Sequence, residues 1–183
     1  MRGSFATEQR VNQAPFKAFG VAPSEAPTAL AISWGKGDPH KDYILFVYAD
    51  EKGEMRENIR LDNVVDDDNK EEFLDMIRRR NPNVIVVGGF SMVTAKLSQR
   101  ITQVIHPPRR DPDDWSERDP VEEPIRPVIH VHDEAARLYQ HGKRAQEEHP
   151  HFTPFTKYCV GLARYVRNPL HEYAALGRDI LRR

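Results

Sequence analysis

An uninterrupted run of apolar, mostly β-branched residues at 84–87 stands between two segments with helical periodicity and ends at a glycine pair. Such a run is typical of a strand buried on both faces, as in the centre of a parallel sheet, because a half-exposed strand would alternate. Pro82 precedes the run, and the glycines permit a sharp turn after it. Because ligands of open parallel sheets bind at the carboxyl ends of central strands, we expect any functional site to lie near Gly88 to Ser91.

Three shorter stretches precede this strand and predict three further strands. They cover residues 28–33, 43–49 and 55–61, and the link at 50–54 has the composition of a hairpin turn. Short links of this kind join antiparallel neighbours. The first part of the chain is therefore predicted to form an antiparallel meander.

The segments on either side of the central strand repeat apolar residues at three- and four-residue spacing, which predicts helices. The first helix runs from about Lys70 to Arg80, with acidic residues before it and arginines at its end, as the helix dipole favours. Ser91 is a suitable N-cap for the second helix. The apolar positions of that second helix are Val93, Leu97, Ile101 and Ile105.

Four further elements follow a proline-rich stretch that begins at residue 107. Residues 128–132 predict a short strand, and Asp133 starts a helix. Residues 152–166 predict a buried helix, and Pro169 starts a short helix that extends through Ala175. The apolar residues of the helix after Asp133 are Ala135, Leu138 and Tyr139.

The resulting order, β-β-β-α-β-α-β-α-α followed by the short helix at Pro169, indicates an α/β protein. It resembles the layout of the ribonuclease H-like fold, a mixed five-stranded sheet with helices on both faces, in which the first strand is central and pairs with the strand at 84–87. We expect residues 27–183 to form this one domain, after a linker or expression leader at 1–26. Residues 107–127 hold six prolines and seven acidic residues and predict an exposed insertion.

Composition narrows the classes of function. A length of 183 residues suits one domain with a sizeable core, and a net charge of -1 gives no bulk attraction for nucleic acid. The single cysteine, Cys159, excludes an internal disulfide and suits a reducing compartment, and its place on an apolar helix face favours the core. Because no apolar run approaches the roughly 20 residues that span a bilayer, we expect no membrane contact.

A nuclease on a ribonuclease H-like fold needs carboxylates that hold two divalent metal ions about 4 Å apart. These acids come from the first strand, the end of the fourth strand and a later segment. The first place here holds Ser33, with Asp38 several residues beyond it, and the second holds the glycine pair that begins at Gly88. Only the third place offers acids, Asp133 and Glu134. We therefore expect no catalytic residue, no metal ion and no cofactor.

Three other groupings leave alternatives open. Asp133 is either the N-cap of its helix or a remnant of an acidic ligand site. His130 and His132 would point to one face of a strand and could join Asp133 around zinc, although solvent-facing histidines are commoner. The stretch at 35–38 looks like a phosphate loop but lacks the Walker spacing, which argues against an ATPase-like domain.

Basic residues on the predicted helices are the remaining candidates for contact with nucleic acid. With Tyr139 they could form one positive face, although scattered basic residues on amphipathic helices are usually a solvated surface. These residues are Arg78, Arg79, Arg80, Lys96, Arg100, Arg137, Lys143 and Arg144.

Three segments together resemble one known family. They are residues 85–91, residues 131–140 with the pattern Asp-Glu-x-x-Arg-Leu-Tyr, and residues 162–177 with the pattern Asn-Pro-Leu-x-Glu-Tyr-Ala. They resemble the YqgF (RuvC-type, ribonuclease H-like) domain of the suppressor-of-Ty-six family of eukaryotic transcription elongation factors and histone chaperones, whose bacterial relative is Tex. The resemblance runs from about Ala29 to Leu181.

The resemblance implies a nuclear protein that travels with RNA polymerase II, binds histones and helps to reassemble nucleosomes. It also implies a resolvase-like fold without a known nuclease activity, so the leading hypothesis is a non-catalytic scaffold or interaction domain. The alternative is a residual metal-dependent nuclease or nucleic-acid-binding domain built on Asp133, Glu134, Asp38 and the histidines. The acidic insertion at 107–127 adds a separate hypothesis, contact with basic histone segments.

Overall fold

A five-stranded mixed sheet forms the centre of the protein. The computed structural model describes residues 27–35, 38, 42–89, 91–107 and 126–181, with side chains as far as residue 177. The strands are β1 (Ala29–Ser33), β2 (Ile44–Ala49), β3 (Met55–Leu61), β4 (Val84–Gly88) and β5 (Val128–Val131), and their order across the sheet is β3-β2-β1-β4-β5. The predicted meander and the central position of the first strand are confirmed.

Strand β4 is buried along its whole length, as its continuous apolar sequence predicts. It pairs in parallel with β1 on one side, where Ile32 lies opposite Val87, and with β5 on the other, where Val131 lies opposite Gly88. The carboxyl ends of β1, β4 and β5 therefore meet at one edge of the sheet.

Six helices among the described residues cover the two faces of the sheet. Helices α1 and α2 pack on the face that carries Leu30 and Ile32, whereas α3, α4 and α5 pack on the face that carries Ala29 and Ala31. The helices are α1 (Asp67–Arg80), α2 (Met92–Ile105), α3 (Glu134–His141), α4 (Lys143–Glu148), α5 (Pro154–Arg167) and α6 (Pro169–Leu181). No helix in these ranges is long and apolar enough to cross a bilayer.

Four details of the helix prediction were wrong. Helix α1 begins at Asp67, because its acidic residues form the first turn instead of preceding it. Helix α4 was missed, since its only buried residue is Ala145 and it has no apolar stripe. Helix α6 continues past Ala175 to Leu181, with Leu176 packed in the core, and Leu138 of α3 is 57% exposed instead of buried.

Two predicted segments, the leader at 1–26 and most of the insertion at 107–127, lie outside the described residues. Their organisation stays a prediction. The described chain begins at residue 27, immediately before β1, and resumes at residue 126, immediately before β5.

A buried arginine fixes helix α5 to the rest of the domain. Arg164 is 8% exposed, and its guanidinium donates through Nε to the carbonyl of Gly53 at 3.1 Å, which ties the β2–β3 turn to the helix. The same guanidinium donates to the hydroxyl of Tyr139 at 3.1 Å and pairs with the carboxylate of Glu148 at the end of α4. A buried guanidinium needs such partners, because an unpaired buried charge is strongly destabilising.

Glu148 is the acidic partner in this network. Partial burial would raise the pKa of its carboxyl, but Arg164 outweighs burial, and with hydrogen bonds from Tyr139 and Arg144 the pKa falls to about 2. The carboxylate is therefore more stable in the folded chain than in the unfolded chain.

The depressed pKa of Glu148 predicts a pH-dependent contribution to stability. This contribution is complete above the ordinary pKa of 4.5 and is lost as the pH falls toward 2, since protonation then removes the charge that Arg164 faces. We expect Glu148→Gln to lower the free energy of unfolding by about 1 to 2 kcal/mol at pH 7 and progressively less below pH 4.5.

Urea unfolding of the wild type and of Glu148→Gln between pH 7 and pH 2.5 measures this difference. Glu147→Gln is the matched control, because Glu147 is exposed on the same helix. An equal cost of Glu148→Gln at every pH would contradict the prediction.

Candidate functional site

A cleft of about 890 Å³ opens at the sheet edge where β1, β4 and β5 end. This is the location that the central strand predicted. The walls are formed by the strand ends, the first turns of α2 and α3, and the start of α5. The lining residues are Ser33, Trp34, Gly35, Val87, Gly88, Gly89, Ser91, Val93, Thr94, Leu97, His132, Asp133, Glu134, Arg137, Gln140, Phe155 and Tyr158.

The first of the three predicted acid positions is occupied by Ser33, at the end of β1. Ser33 is only 7% exposed and lines the cleft. Asp38 does not line the cleft within the described ranges, and its backbone N–H donates to the carboxylate of Asp42 at 3.1 Å. The predicted alternative role of Asp38 in an acidic site therefore gains no support.

The second acid position, the end of β4, is closed to any side chain. A Cβ atom on Gly88 would lie 2.5 Å from Cδ1 of Leu162 and 2.7 Å from the hydroxyl of Tyr158. Both neighbours come from α5 and are themselves buried. Because real Cβ contacts are essentially never shorter than 3.0 Å, a carboxylate cannot occupy this position without displacing part of the core.

The third position carries Asp133, whose carboxylate is already engaged. The hydroxyl of Tyr158 donates to its Oδ2 at 3.0 Å, and Nε of Arg137 lies 3.3 Å from its Oδ1. Burial, reinforced by the negative charge of Asp133, raises the pKa of Tyr158, so that the phenol stays protonated and remains a donor. Asp133 stands at the N-cap position of α3 but makes no capping hydrogen bond with its side chain.

Glu134 is the other acid of the predicted corner. It is exposed and lines the cleft at the first turn of α3. The prediction that Asp133 and Glu134 lie at this edge is consistent with the geometry. Neither predicted role of Asp133 is seen in full, because its side chain neither caps the helix nor belongs to a group of acids placed to hold a metal ion among the described residues. Its carboxylate binds Tyr158 and Arg137 instead of the helix backbone.

The first turn of α2 forms the opposite wall of the cleft. The hydroxyl of Ser91 accepts a hydrogen bond from the backbone N–H of Thr94 at 3.1 Å, which confirms the predicted N-cap. Gly89, with a φ of 96°, turns the chain from β4 into this helix, a backbone conformation that favours glycine. The start of α2 and Ser33 thus line the same cleft.

The proposed zinc set does not form a ligand group in the described ranges. His130 and His132 are both exposed, and no three His, Cys, Asp or Glu side chains among the described residues are placed to hold a metal ion. Cys159 is fully buried, and burial raises the pKa of its thiol, which agrees with the predicted core position.

Tyr139 does not join the proposed basic face. Tyr139 is 1% exposed, with the guanidinium groups of Arg144 and Arg164 over its ring. Arg79 and Arg80 pair with Glu57 on β3. These cations are largely neutralised by their own neighbours.

Sequence reasoning did not predict that Tyr158 and Leu162 pack against Gly88. Both lie on α5, far along the chain from Gly88, and only the packed structure brings them to it. The spacing of Asp133 and Arg137 could have been found, since four residues separate the members of a helical ion pair.

The family model and the relatives that match this chain point to the same family. The family model described as "YqgF: Holliday-junction resolvase-like of SPT6" matches residues 24–177. The transcription elongation factor SPT6 of Gibberella zeae is 40% identical over 179 residues, which are 94% of this chain and 12% of the relative. The corresponding factors of Schizosaccharomyces pombe and Saccharomyces cerevisiae are 36% and 34% identical, again over 94% of this chain and 12% of the relative.

The chain thus spans 12% of the length of each of these relatives. The match covers both β1 and the cleft, and the five-stranded mixed sheet agrees with the ribonuclease H-like fold that the sequence predicted. The chain belongs to the YqgF family, the Holliday-junction resolvase-like domain of SPT6.

Proposed function

We propose that this chain is a non-catalytic scaffold or interaction domain of a nuclear transcription elongation factor and histone chaperone that acts with RNA polymerase II on chromatin. The non-catalytic part of the proposal rests on one observation, that Leu162 and Tyr158 fill the space that a side chain at position 88 would need. The relatives are named transcription elongation factors, and this chain spans 12% of their length, so the activity of the whole protein is part of the proposal.

The lack of room for a side chain at Gly88 matters because a two-metal centre needs several carboxylates around one point. Ser33 supplies a hydroxyl, Gly88 supplies no side chain, and Asp133 already binds a phenol and a guanidinium. The positive charge of Arg137 beside Asp133 also opposes a divalent cation. The cleft geometry therefore favours a domain that uses its fold for contacts instead of phosphodiester hydrolysis.

The names of the same relatives support a proposal for location and partners. A transcription elongation factor works in the nucleus with the transcription machinery, and we infer the same setting for the parent of this domain. RNA polymerase II and histones or nucleosomes are the partners we propose for the parent protein. The rival function is a residual metal-dependent nuclease or nucleic-acid-binding domain. The DNA cleavage experiment below tests it.

The packing at Gly88 predicts that even one added methyl group destabilises the domain. We expect Gly88→Ala to lower the free energy of unfolding by about 1 to 3 kcal/mol, because its Cβ would overlap two buried side chains. Urea unfolding measures the change. Gly177→Ala is the matched control, since a Cβ on Gly177 meets nothing within 4 Å, and it should leave stability equal or slightly higher.

A double variant tests the cause of this destabilisation. Leu162→Ala removes the closest atoms, so the additional cost of Gly88→Ala should shrink in that background. If Gly88→Ala costs the same free energy of unfolding with and without the Leu162 side chain, Leu162 does not fill the space beside Gly88 as described.

Loss of the metal-binding acids predicts an absence of cleavage. We expect the chain and its Asp133→Ala variant to leave single-stranded, duplex and four-way-junction DNA intact with Mg²⁺ or Mn²⁺, because one engaged carboxylate cannot hold two metal ions. Gel electrophoresis reports both cleavage and complex formation, and circular dichroism checks that the variant is folded. Cleavage that disappears in Asp133→Ala would restore the nuclease alternative.

The seven acids of residues 107–127 predict a salt-sensitive contact with histones. We expect the chain to bind core histones at low ionic strength and to lose most of that affinity when residues 111–123 are deleted. Changing the same seven acids to their amides keeps the length of the segment and should have the same effect. Unchanged histone binding in either variant would remove the insertion from the proposal.

A further inference from the structure

The charged side chains that line the cleft leave one negative charge unbalanced. Asp133 and Arg137 form an ion pair, in which Nε of the guanidinium lies 3.3 Å from Oδ1 of the carboxylate. Glu134 is the third charged side chain of the lining. It is exposed in the first turn of α3 and makes no ion pair with the residues that the structure describes. Since the start of α2 adds only about half a positive charge, the cleft attracts a cation more than an anion.

Two aromatic rings border this cleft from opposite faces of the sheet. Trp34 packs on the face that carries Ile32. Phe155 packs on the other face, that of Ala31, and both rings are half-buried. The face of an aromatic ring carries the negative part of a quadrupole and attracts cations. The rings, here called the aromatic wall, thus favour the same class of ligand as the unpaired carboxylate.

The ring of Trp34 already contacts one guanidinium of the same chain. The guanidinium of Arg100 lies 5.9 Å from the ring centre, and the indole Nε1 donates to the carbonyl of Asp42 at 3.3 Å, which holds the ring in place. An indole has two faces, so the contact with Arg100 does not exclude a second cation. A guanidinium is planar, stacks on aromatic rings and pairs with a carboxylate through two N–H groups. The cleft therefore suits arginine better than lysine.

Apolar side chains line the cleft beside the aromatic wall. They include Val87 at the end of β4 and Val93 and Leu97 of α2. A long basic side chain buries its hydrocarbon stem against such a surface and keeps its charged end at a polar group. The volume of about 890 Å³ leaves room for the backbone that carries the side chain.

We propose that the cleft binds an arginine side chain from a basic segment of a partner protein. The guanidinium pairs with Glu134 and lies against the aromatic wall, and the stem of the side chain runs along Val93 and Leu97. This inference rests on the interaction role proposed above and adds the chemistry of the partner and the place where it binds. It does not involve residues 107–127.

NMR titration of the 183-residue chain tests the site, because the method detects the weak binding of a single side chain. The probe is the blocked pentapeptide acetyl-Gly-Gly-Arg-Gly-Gly-amide, together with the same peptide carrying lysine or the uncharged analogue citrulline. We expect the arginine peptide to bind at least about fivefold more tightly than the citrulline peptide, with lysine between them. The arginine peptide should also shift the indole N–H signal of Trp34, which the loss of that signal in Trp34→Leu identifies.

Two variants of opposite sign assign the binding to the charges of the cleft. Glu134→Gln should weaken binding of the arginine peptide about threefold at low salt, because it removes the unpaired carboxylate. Arg137→Gln should tighten binding by a similar factor, because it removes the positive charge of the lining. Glu147→Gln is the matched control, since Glu147 is exposed but does not line the cleft, and it should leave the affinity unchanged.

Several outcomes would overturn the proposal. They are equal affinities for the arginine and citrulline peptides, no binding of either, an unmoved Trp34 signal, or an unchanged affinity in Glu134→Gln. A ten-nucleotide oligothymidylate that shifts the Trp34 signal when the arginine peptide does not would assign the cleft to nucleic acid instead. Binding of core histones by a chain that does not bind the arginine peptide would reject this site and leave the scaffold function in place.

Discussion

The absence of a side chain at Gly88 is the constraint on which the arrangement of sheet and helix depends. Leu162 and Tyr158 of α5 occupy the space where a Cβ would stand, so the helix lies close against the end of β4. The small side chains of Ala29 and Ala31 on the same face permit the same close approach farther along the sheet. Gly161 extends this packing to α3, because a Cβ there would come within 3.1 Å of Ala136. Helix α5 is consequently the most buried helix of the described chain.

Such close packing positions the helix laterally but does not fix its position along its own axis. The buried guanidinium of Arg164 supplies that constraint, since its partners lie on the β2–β3 turn, on α3 and at the end of α4. A hydrophobic contact tolerates sliding better than a set of directional hydrogen bonds to a buried charge. The position of Tyr158 beside Asp133, and with it the shape of the cleft, thus depends indirectly on a network at the other end of α5.

Local patterns were sufficient to predict most of the fold. The unbroken apolar run of β4, the turn before β3 and the Ser91 cap each report on neighbouring residues, and all were confirmed. The prediction failed where a residue's environment is set by distant parts of the chain. Leu138 belongs to an apolar pattern but points to solvent, whereas Tyr139 next to it is buried by Arg144 and Arg164. The packing of Leu162 and Tyr158 against Gly88 could not be predicted for the same reason, because nothing near Gly88 in the sequence specifies these two residues.

The contacts of Asp133 determine the electrostatic character of the cleft. In a metal-dependent site, several carboxylates create a negative potential that only cations relieve. Here the Asp133 carboxylate is balanced by Arg137 and bonded to Tyr158, so its charge contributes little beyond its own contacts. The other fixed charges at the cleft are the Glu134 carboxylate at the rim and the positive end of the α2 dipole. With a serine and a glycine at the other two positions, the acids of the cleft all come from one corner, the start of α3.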